Sequence, residues 1–237
     1  MSYNHLSEVY DSCKTDFWIR NSQHYLEKFC FKNKSVLDIG CGTGLAISYL
    51  GLGVSNYLGI DSSMRMLKCA KKKFPEYTFL EQSVLEFKNY QKFDFVICAF
   101  DTLNHFIPKS DWESIVEISF LNLMDEGTFI FDIFTEYDLH NNWPNQLNIT
   151  ESNNWMYLQR SNYDLKNRLG VIDNTIFKKS QEGWTRFDEQ IKKTTYPIHL
   201  VEDILHKVGF IKIETIDFKT GETATETTER VIFFCNK

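Results

Sequence analysis

The stretch Val36-Leu37-Asp38-Ile39-Gly40-Cys41-Gly42-Thr43-Gly44 runs an apolar burst into three alternating glycines. Without Cβ atoms these glycines permit tight turning and let a ligand approach the backbone and the N-terminus of a following helix. Asp61 stands 21 residues beyond Gly40, where the next apolar burst, Tyr57 to Ile60, ends. A carboxylate in that place can accept two hydrogen bonds from a ribose diol. Either feature alone is commonplace, because glycine turns are frequent and a strand-ending Asp is often only a helix cap. Together they describe a nucleoside site. A dinucleotide fingerprint, G-x-G-x-x-G, would need glycine at position 45, where Leu45 stands.

The elements that must position these residues follow from patterning. Val36 to Ile39, Tyr57 to Ile60, Thr78 to Glu81, Phe93 to Phe100 and Thr128 to Phe134 read as strands. Leu45 to Leu50, Met64 to Phe74 and Asp111 to Leu123 read as helices between them, with Ser63 as a cap and Lys71, Lys72 and Lys73 at the negative end of the second. Such alternation predicts a parallel sheet covered by helices. Phe17, Tyr25, Leu26, Phe29 and Cys30 give residues 1–32 helical spacing. Between Glu136 and Ile198 the pattern changes to three antiparallel strands, Trp155 to Tyr163, Arg168 to Lys178 and Trp184 to Thr195, inserted into the α/β core. Helix Leu200 to Val208, a Gly209 stop, strand Ile211 to Phe218 and strand Arg230 to Cys235 complete the core, with Thr220 to Thr228 as a solvated connection. The expected organisation is a core of residues 1–135 and 199–237 with an antiparallel lid of residues 136–198.

The strand Phe93 to Phe100 delivers Asp101-Thr102-Leu103-Asn104-His105 to the sheet edge where such folds place their ligands. With an ordinary pKa near about 6.5, His105 could accept a proton from an amine or orient it, although a loop histidine satisfied by backbone is an equal reading. Asp101 is a second candidate, or simply a residue that holds the loop.

Several classes are disfavoured. The net charge of -6 gives no general attraction for nucleic acid or anionic membrane. Apolar runs such as Gly127 to Phe134 fall short of the roughly 20 residues that span a bilayer. The start, Met1-Ser2-Tyr3-Asn4-His5, lacks a secretory pattern, which favours the cytoplasm. Cys13, Cys30, Cys41, Cys69, Cys98 and Cys235 form no C-x-x-C pair and read as small buried hydrophobes. His5, His24, His140, His199 and His206 have no metal-ligand spacing, so no metal is expected. The insert balances eight basic residues against eight acidic ones, unlike a nucleic-acid track. Its aromatics Trp143, Trp155, Tyr157, Tyr163, Phe177 and Trp184 could wall a small-molecule pocket or simply stabilise the strands.

The chain resembles the class I S-adenosylmethionine (SAM) methyltransferases. Leu37-Asp38-Ile39-Gly40-Cys41-Gly42-Thr43-Gly44 matches the first family motif, and Gly59-Ile60-Asp61 followed by Ser63, Met66 and Leu67 matches the second. The resemblance extends over nearly the whole chain and points to bacterial small-molecule enzymes related to amino-sugar and glycine N-methyltransferases. Its outer landmarks are Tyr3 with Val9-Tyr10-Asp11, Asp101 to His105, Phe131-Asp132-Ile133 and Glu229-Arg230-Val231.

This resemblance implies a Rossmann-like α/β fold: a seven-stranded, mostly parallel sheet with helices on both faces and an inserted antiparallel β lid. It implies SAM as cofactor and S-adenosylhomocysteine as product. Gly40, Cys41, Gly42 and Gly44 would face the methionine part, Asp61 the ribose, and Ser62 and Met66 the adenine, with Val84, Ala99 and Phe100 completing the set. Ser83 stands where many relatives carry an Asp that accepts from the adenine amino group. Tyr10 and Trp18 would lie over the methionine end and the substrate mouth, or else pack an N-terminal helix on the core. A ring face attracts a sulfonium.

The expected reaction is methyl transfer to a small-molecule acceptor, at nitrogen rather than oxygen, by a monomer or homodimer. Candidate catalytic residues are His105, Asp101 and Tyr10. A neutral amine can attack directly and lose its proton afterwards, so alignment and water exclusion matter most. The alternatives are a noncatalytic SAM-binding interaction protein and, disfavoured by Leu45, a nicotinamide-dependent Rossmann oxidoreductase.

Overall fold

A computed structural model describes residues 5–13, 29–50, 53–89 and 91–237. Phe17, Trp18, His24, Tyr25 and Leu26 lie outside the described residues. The core begins with β1 (Ser35–Ile39), α1 (Ile47–Leu50), β2 (Asn56–Asp61), α2 (Met64–Lys73) and β3 (Thr78–Glu81). It continues with β4 (Phe93–Cys98), α3 (Lys109–Asn122) and β5 (Leu123–Phe134). All five residues of β1 are buried, as in a strand covered on both faces. Ser63 caps α2 by accepting from the Met66 N–H at 3.4 Å. The three lysines expected at its last turn are there.

After β5 come α4 (Glu136–Asn141), β6 (Gln146–Glu151), β7 (Trp155–Asp164), β8 (Leu169–Ser180) and β9 (Gly183–Lys193). The chain then returns through α5 (Ile198–Val208), β10 (Lys212–Asp217) and β11 (Arg230–Asn236). Gly209 ends α5 with φ of 123°. The main sheet has the order β10-β11-β5-β4-β1-β2-β3, and β11 alone runs antiparallel to both its neighbours. The second sheet is a four-stranded antiparallel meander, β6-β7-β8-β9. Both sheets agree with the expected fold class. The meander has one strand more than the pattern predicts: β6 is its edge strand, and every residue of it but Thr150 is exposed.

Alternation along the central strands divides the core into two layers. Phe129, Phe131 and Ile133 of β5, with Val231 and Phe233 of β11, meet Trp112 and Ile204 on one face. Ile130, Ile232 and Phe234 turn to the other face, with Leu67 and Tyr57. Leu45 also packs into this second layer rather than facing a ligand. The cysteine reading holds in full at three of the six positions. Cys41, Cys98 and Cys235 are buried and Cys13 and Cys69 half-buried, whereas Cys30 is at the surface, just ahead of β1.

Candidate active site

β1 pairs with β2 on one side and β4 on the other, so the sheet order reverses between β1 and β4. A crevice opens beyond the carboxyl ends of the strands at such a switch point. Here it is a cavity of about 580 Å³, bounded below by the core and above by the meander. The turn after β1 enters it with Gly40 at φ 70° and Gly42 at φ 53°. A Cβ on Gly40 would sit 2.4 Å from Thr102 Cγ2, so this glycine is required by packing. A Cβ on Gly42 would meet no protein atom within 4 Å, leaving its backbone open to a ligand. Cys41 and Gly44 turn away from the cavity, Cys41 against Gly59 and Gly44 against Phe74 and Ile47. Asp38 is buried in β1, bonded to the Tyr57 hydroxyl, and burial pushes its carboxyl up to about 7.

Asp61 accepts from the Gly42 N–H at 2.9 Å through Oδ2 and from the Ser63 N–H at 2.7 Å through Oδ1. Burial raises its pKa, and the two backbone donors oppose the rise. Ser62, Met66, Ser83 and Val84 line the same end of the cavity, together with Gln82, which sequence reasoning did not single out. Asp11 fastens the turn from outside by accepting from Thr43 Oγ1 and Lys73 Nζ.

The end of β4 departs from expectation. The strand stops at Cys98, and Phe100 and Asp101 adopt left-handed backbone with φ of 59° and 53°. The Asp132 carboxylate holds both, accepting from the Phe100 N–H at 2.7 Å and the Asp101 N–H at 2.9 Å. Arg230 of β11 clamps Asp132 through Nε at 2.7 Å and Asp101 through Nη2 at 2.9 Å. Lys193 of β9 ion-pairs with the other oxygen of Asp101. All four side chains are buried. Asp101, offered by the sequence as a proton acceptor, is therefore committed to two cations and acts as a positioning residue. Ala99 lies outside the cavity wall, its carbonyl accepting from Thr102 Oγ1 at 2.8 Å, whereas Phe100 lines it.

His105, on the 3₁₀ turn Leu103–His105, reaches the cavity as expected. Burial pushes its imidazole down to about 4, so it is neutral near pH 7. That corrects the reading of a histidine poised near 6.5. It remains able to hydrogen-bond an amine, but it is a weak base.

Tyr10 lines the cavity from the N-terminal segment and packs against both the core and the meander. Burial raises its phenol pKa, so it stays protonated. From the meander side, Trp143 and Tyr157 line the cavity, whereas Trp155, Tyr163, Phe177 and Trp184 do not. Asp138 accepts from Trp143 Nε1 and Asn142 Nδ2, each at 2.8 Å. Among the described lining residues Asp61, Asp101 and Asp138 are acidic, and Lys193 is the one Lys or Arg. The ion-pair network had no short-range sequence mark, because its members are about 30 to 130 positions apart.

This fold and its switch-point crevice define a Rossmann-like α/β protein, and the comparisons with known proteins give its class. Residues 36–127 match the family described as a methyltransferase domain. The chain is 31% identical to the uncharacterised protein MJ1252 of Methanocaldococcus jannaschii over 90% of this chain and 76% of that one. It is 28% identical to YqeM of Bacillus subtilis (strain 168), named as a methyltransferase candidate, over 100% of this chain and 98% of that one. A crystal structure of an S-adenosylmethionine-dependent methyltransferase from Clostridium acetobutylicum superposes with a TM-score of 0.83 at 24% identity, covering 99% and 98% of the two chains. The chain belongs to the class I S-adenosylmethionine-dependent methyltransferases.

Proposed function

We propose that this chain transfers a methyl group from SAM to the nitrogen of a small-molecule amine held between the core and the antiparallel meander. The observation that carries the choice of nitrogen is the charge of the cavity: Lys193 and Arg230 meet the charge of Asp101, whereas Asp61 and Asp138 face the cavity with no salt bridge among the described residues, and His105 is neutral. Such a wall attracts a cationic cofactor and an amine and repels an anionic acceptor.

The residues present fit SAM. Gly42 leaves room for a ligand against its backbone, and Asp61 is oriented by two backbone donors with lone pairs left for a ribose diol. Ser62 and Met66 would flank the adenine, with Ser83 or Gln82 hydrogen-bonding its amino group. When bound, the cofactor supplies an electrophilic methyl group on a sulfonium with a neutral leaving group. The neutral His105 ring accepts a hydrogen bond from the acceptor amine and aims its lone pair, while Tyr10, Phe106, Phe134 and Trp143 exclude water. Residues 136–198 contact the acceptor, and residues 1–135 with 199–237 hold the cofactor.

Calorimetry with SAM, S-adenosylhomocysteine and NADH, followed by labelled-methyl transfer to a panel of amines and alcohols, tests this reading. The first two ligands should bind, NADH should not, and the label should appear on amines. Label on alcohols alone would overturn the choice of nitrogen. Absence of SAM binding would overturn the whole reading.

A further inference from the structure

Asp138 is a buried carboxylate with no part in holding the cofactor or aiming the amine. It occupies the third position of α4, where an acidic side chain commonly turns back onto the N–H of the capping residue. That place is taken here, because the Thr135 N–H donates to the Glu229 carbonyl at 3.1 Å. The carboxylate lies instead in the wall of the cavity of about 580 Å³. It accepts from Asn142 Nδ2 through Oδ1 and from Trp143 Nε1 through Oδ2, each at 2.8 Å. A carboxylate oxygen has two acceptor sites, so these bonds aim the group and leave a lone pair on either oxygen. An uncharged acceptor would hold the Trp143 indole as well, without the penalty of a buried charge.

Asn104, beside His105 on the 3₁₀ turn, accepts from the Phe134 N–H at 2.9 Å. Since Thr135 caps α4, His105 and Asp138 enter the cavity from two elements fastened to each other. Asp138 also lines a second cavity of about 290 Å³, shared with Asp217, Lys219, Thr220 and Thr227. Lys219, Thr220 and Thr227 are exposed, so this second cavity reaches the surface. One carboxylate thus touches both the acceptor cavity and a separate route to solvent. The charges facing it from β11 oppose each other, Glu229 raising its pKa and Arg230 lowering it, and burial raises it most. The nearby lysines are engaged elsewhere, Lys219 with Glu229 and Lys193 with Asp101.

An alkylammonium has no lone pair, and one proton must leave before its nitrogen can attack. Passing that proton to His105 would leave a buried imidazolium, which moves the charge without removing it. Passing it to a carboxylate cancels two charges at once, as a cavity of low dielectric favours. Resting on the nitrogen-methylation reading above, we propose that Asp138 is the catalytic proton acceptor, docking the substrate's ammonium and taking its proton while His105 aims the freed lone pair. The N–H bond breaks as an O–H bond forms on Asp138. The nitrogen pair then forms the N–CH₃ bond while the C–S bond breaks and leaves its electrons on sulfur. The methylated ammonium departs with the positive charge that the sulfonium carried, and the proton on Asp138 leaves to solvent through the second cavity.

The test is labelled-methyl transfer from SAM by the full chain, with a limiting amount of deproteinised small-molecule cell extract as acceptor, followed from pH 7 to about 9.5, near where alkylamines titrate. Asp138→Asn should slow transfer by roughly 10²-fold or more at pH 7, with SAM affinity at the wild-type value by calorimetry. The deficit should shrink as pH rises through about 8 to 10, where amines lose their proton in solution and enter ready to attack. A carboxylate that only held Trp143 in place would give the same deficit at every pH. That result, or a wild-type rate at pH 7, would overturn the proposal and leave methyl transfer standing. Asp138→Ala carries the test if the Asn variant does not fold. It opens space for a small anion, so added formate should restore part of its rate at pH 7, and no gain from formate in the folded Ala variant would equally overturn the proposal. Failure of the wild type to bind SAM, or label on alcohols alone, would overturn the underlying reading instead.

Discussion

The backbone N–H of Gly42 donates to Oδ2 of Asp61 at 2.9 Å, so the turn after β1 and the acid ending β2 form one unit. The second oxygen receives the Ser63 N–H, which ties the same carboxylate to the start of α2. Asp61 therefore shapes the cavity floor as well as facing a ligand, and the two roles can be separated by substitution.

Asp61→Ala should weaken SAM binding by roughly 1.5 to 3 kcal/mol, the range for hydrogen bonds to a charged group. It should also lower the melting temperature, because two backbone donors lose their acceptor. Asp61→Asn, which keeps one carbonyl oxygen, should recover part of the stability and less of the affinity. Calorimetry showing wild-type SAM affinity in both variants would remove Asp61 from the cofactor site.

The two turn glycines should fail in different ways. Gly40→Ala drives a Cβ into Thr102 and should destabilise the fold. Gly42→Ala has open space and should lose only about 1 to 2 kcal/mol of stability from left-handed backbone. Its larger effect should be on SAM affinity, because the new methyl group occupies ligand space. Denaturant melts paired with calorimetry distinguish these outcomes, and equal losses in both measurements for both variants would contradict the assignment.

The core was legible because its strands are buried on both faces and so read as short apolar bursts, β1 being wholly buried. Asp61 and the glycines were legible because their spacing is local. What escaped reading is non-local or at an exposed sheet edge. Lys193 looked like one of eight balanced basic residues in the insert, yet it pairs with Asp101, 92 positions away. The left-handed Phe100 and Asp101 carry no glycine to announce the turn, since the Asp132 carboxylate holds their backbone from another strand. β6 was missed because it is a short, exposed edge strand with only Leu147 and Ile149 as alternating apolar residues.

Lys193→Met removes one partner from a buried ion pair and should cost about 3 kcal/mol, the low end of the usual range, because Arg230 still faces Asp101. Adding Asp101→Asn to it should cost less than the two single losses together, since the charge left without its lysine is then gone. Urea unfolding of the single and double variants measures the coupling. Strictly additive losses would mean that the meander is not fastened to the core through this pair.

The last prediction concerns His105, which burial holds at about 4 against an ordinary value of 6.5. A depressed imidazole favours the folded state while neutral, so its stabilising effect is complete above about pH 6.5, the unfolded value, and is lost as pH falls toward 4. The shift corresponds to at most about 3 kcal/mol. Wild-type stability should therefore fall more steeply than that of His105→Gln between pH 6.5 and 4, although carboxylate titrations contribute equally to both. In catalysis the neutral ring should give no rate inflection near pH 6.5. His105→Ala should lower methyl transfer by roughly 10²-fold if orienting the amine matters as much as proton transfer does elsewhere, with SAM affinity little changed. His105→Gln retains a hydrogen-bond acceptor and should recover much of that loss, which a titrating base would not permit. A Gln variant as slow as the Ala variant, together with a wild-type inflection near 6.5 that disappears in both, would restore the proton-acceptor role that burial argues against.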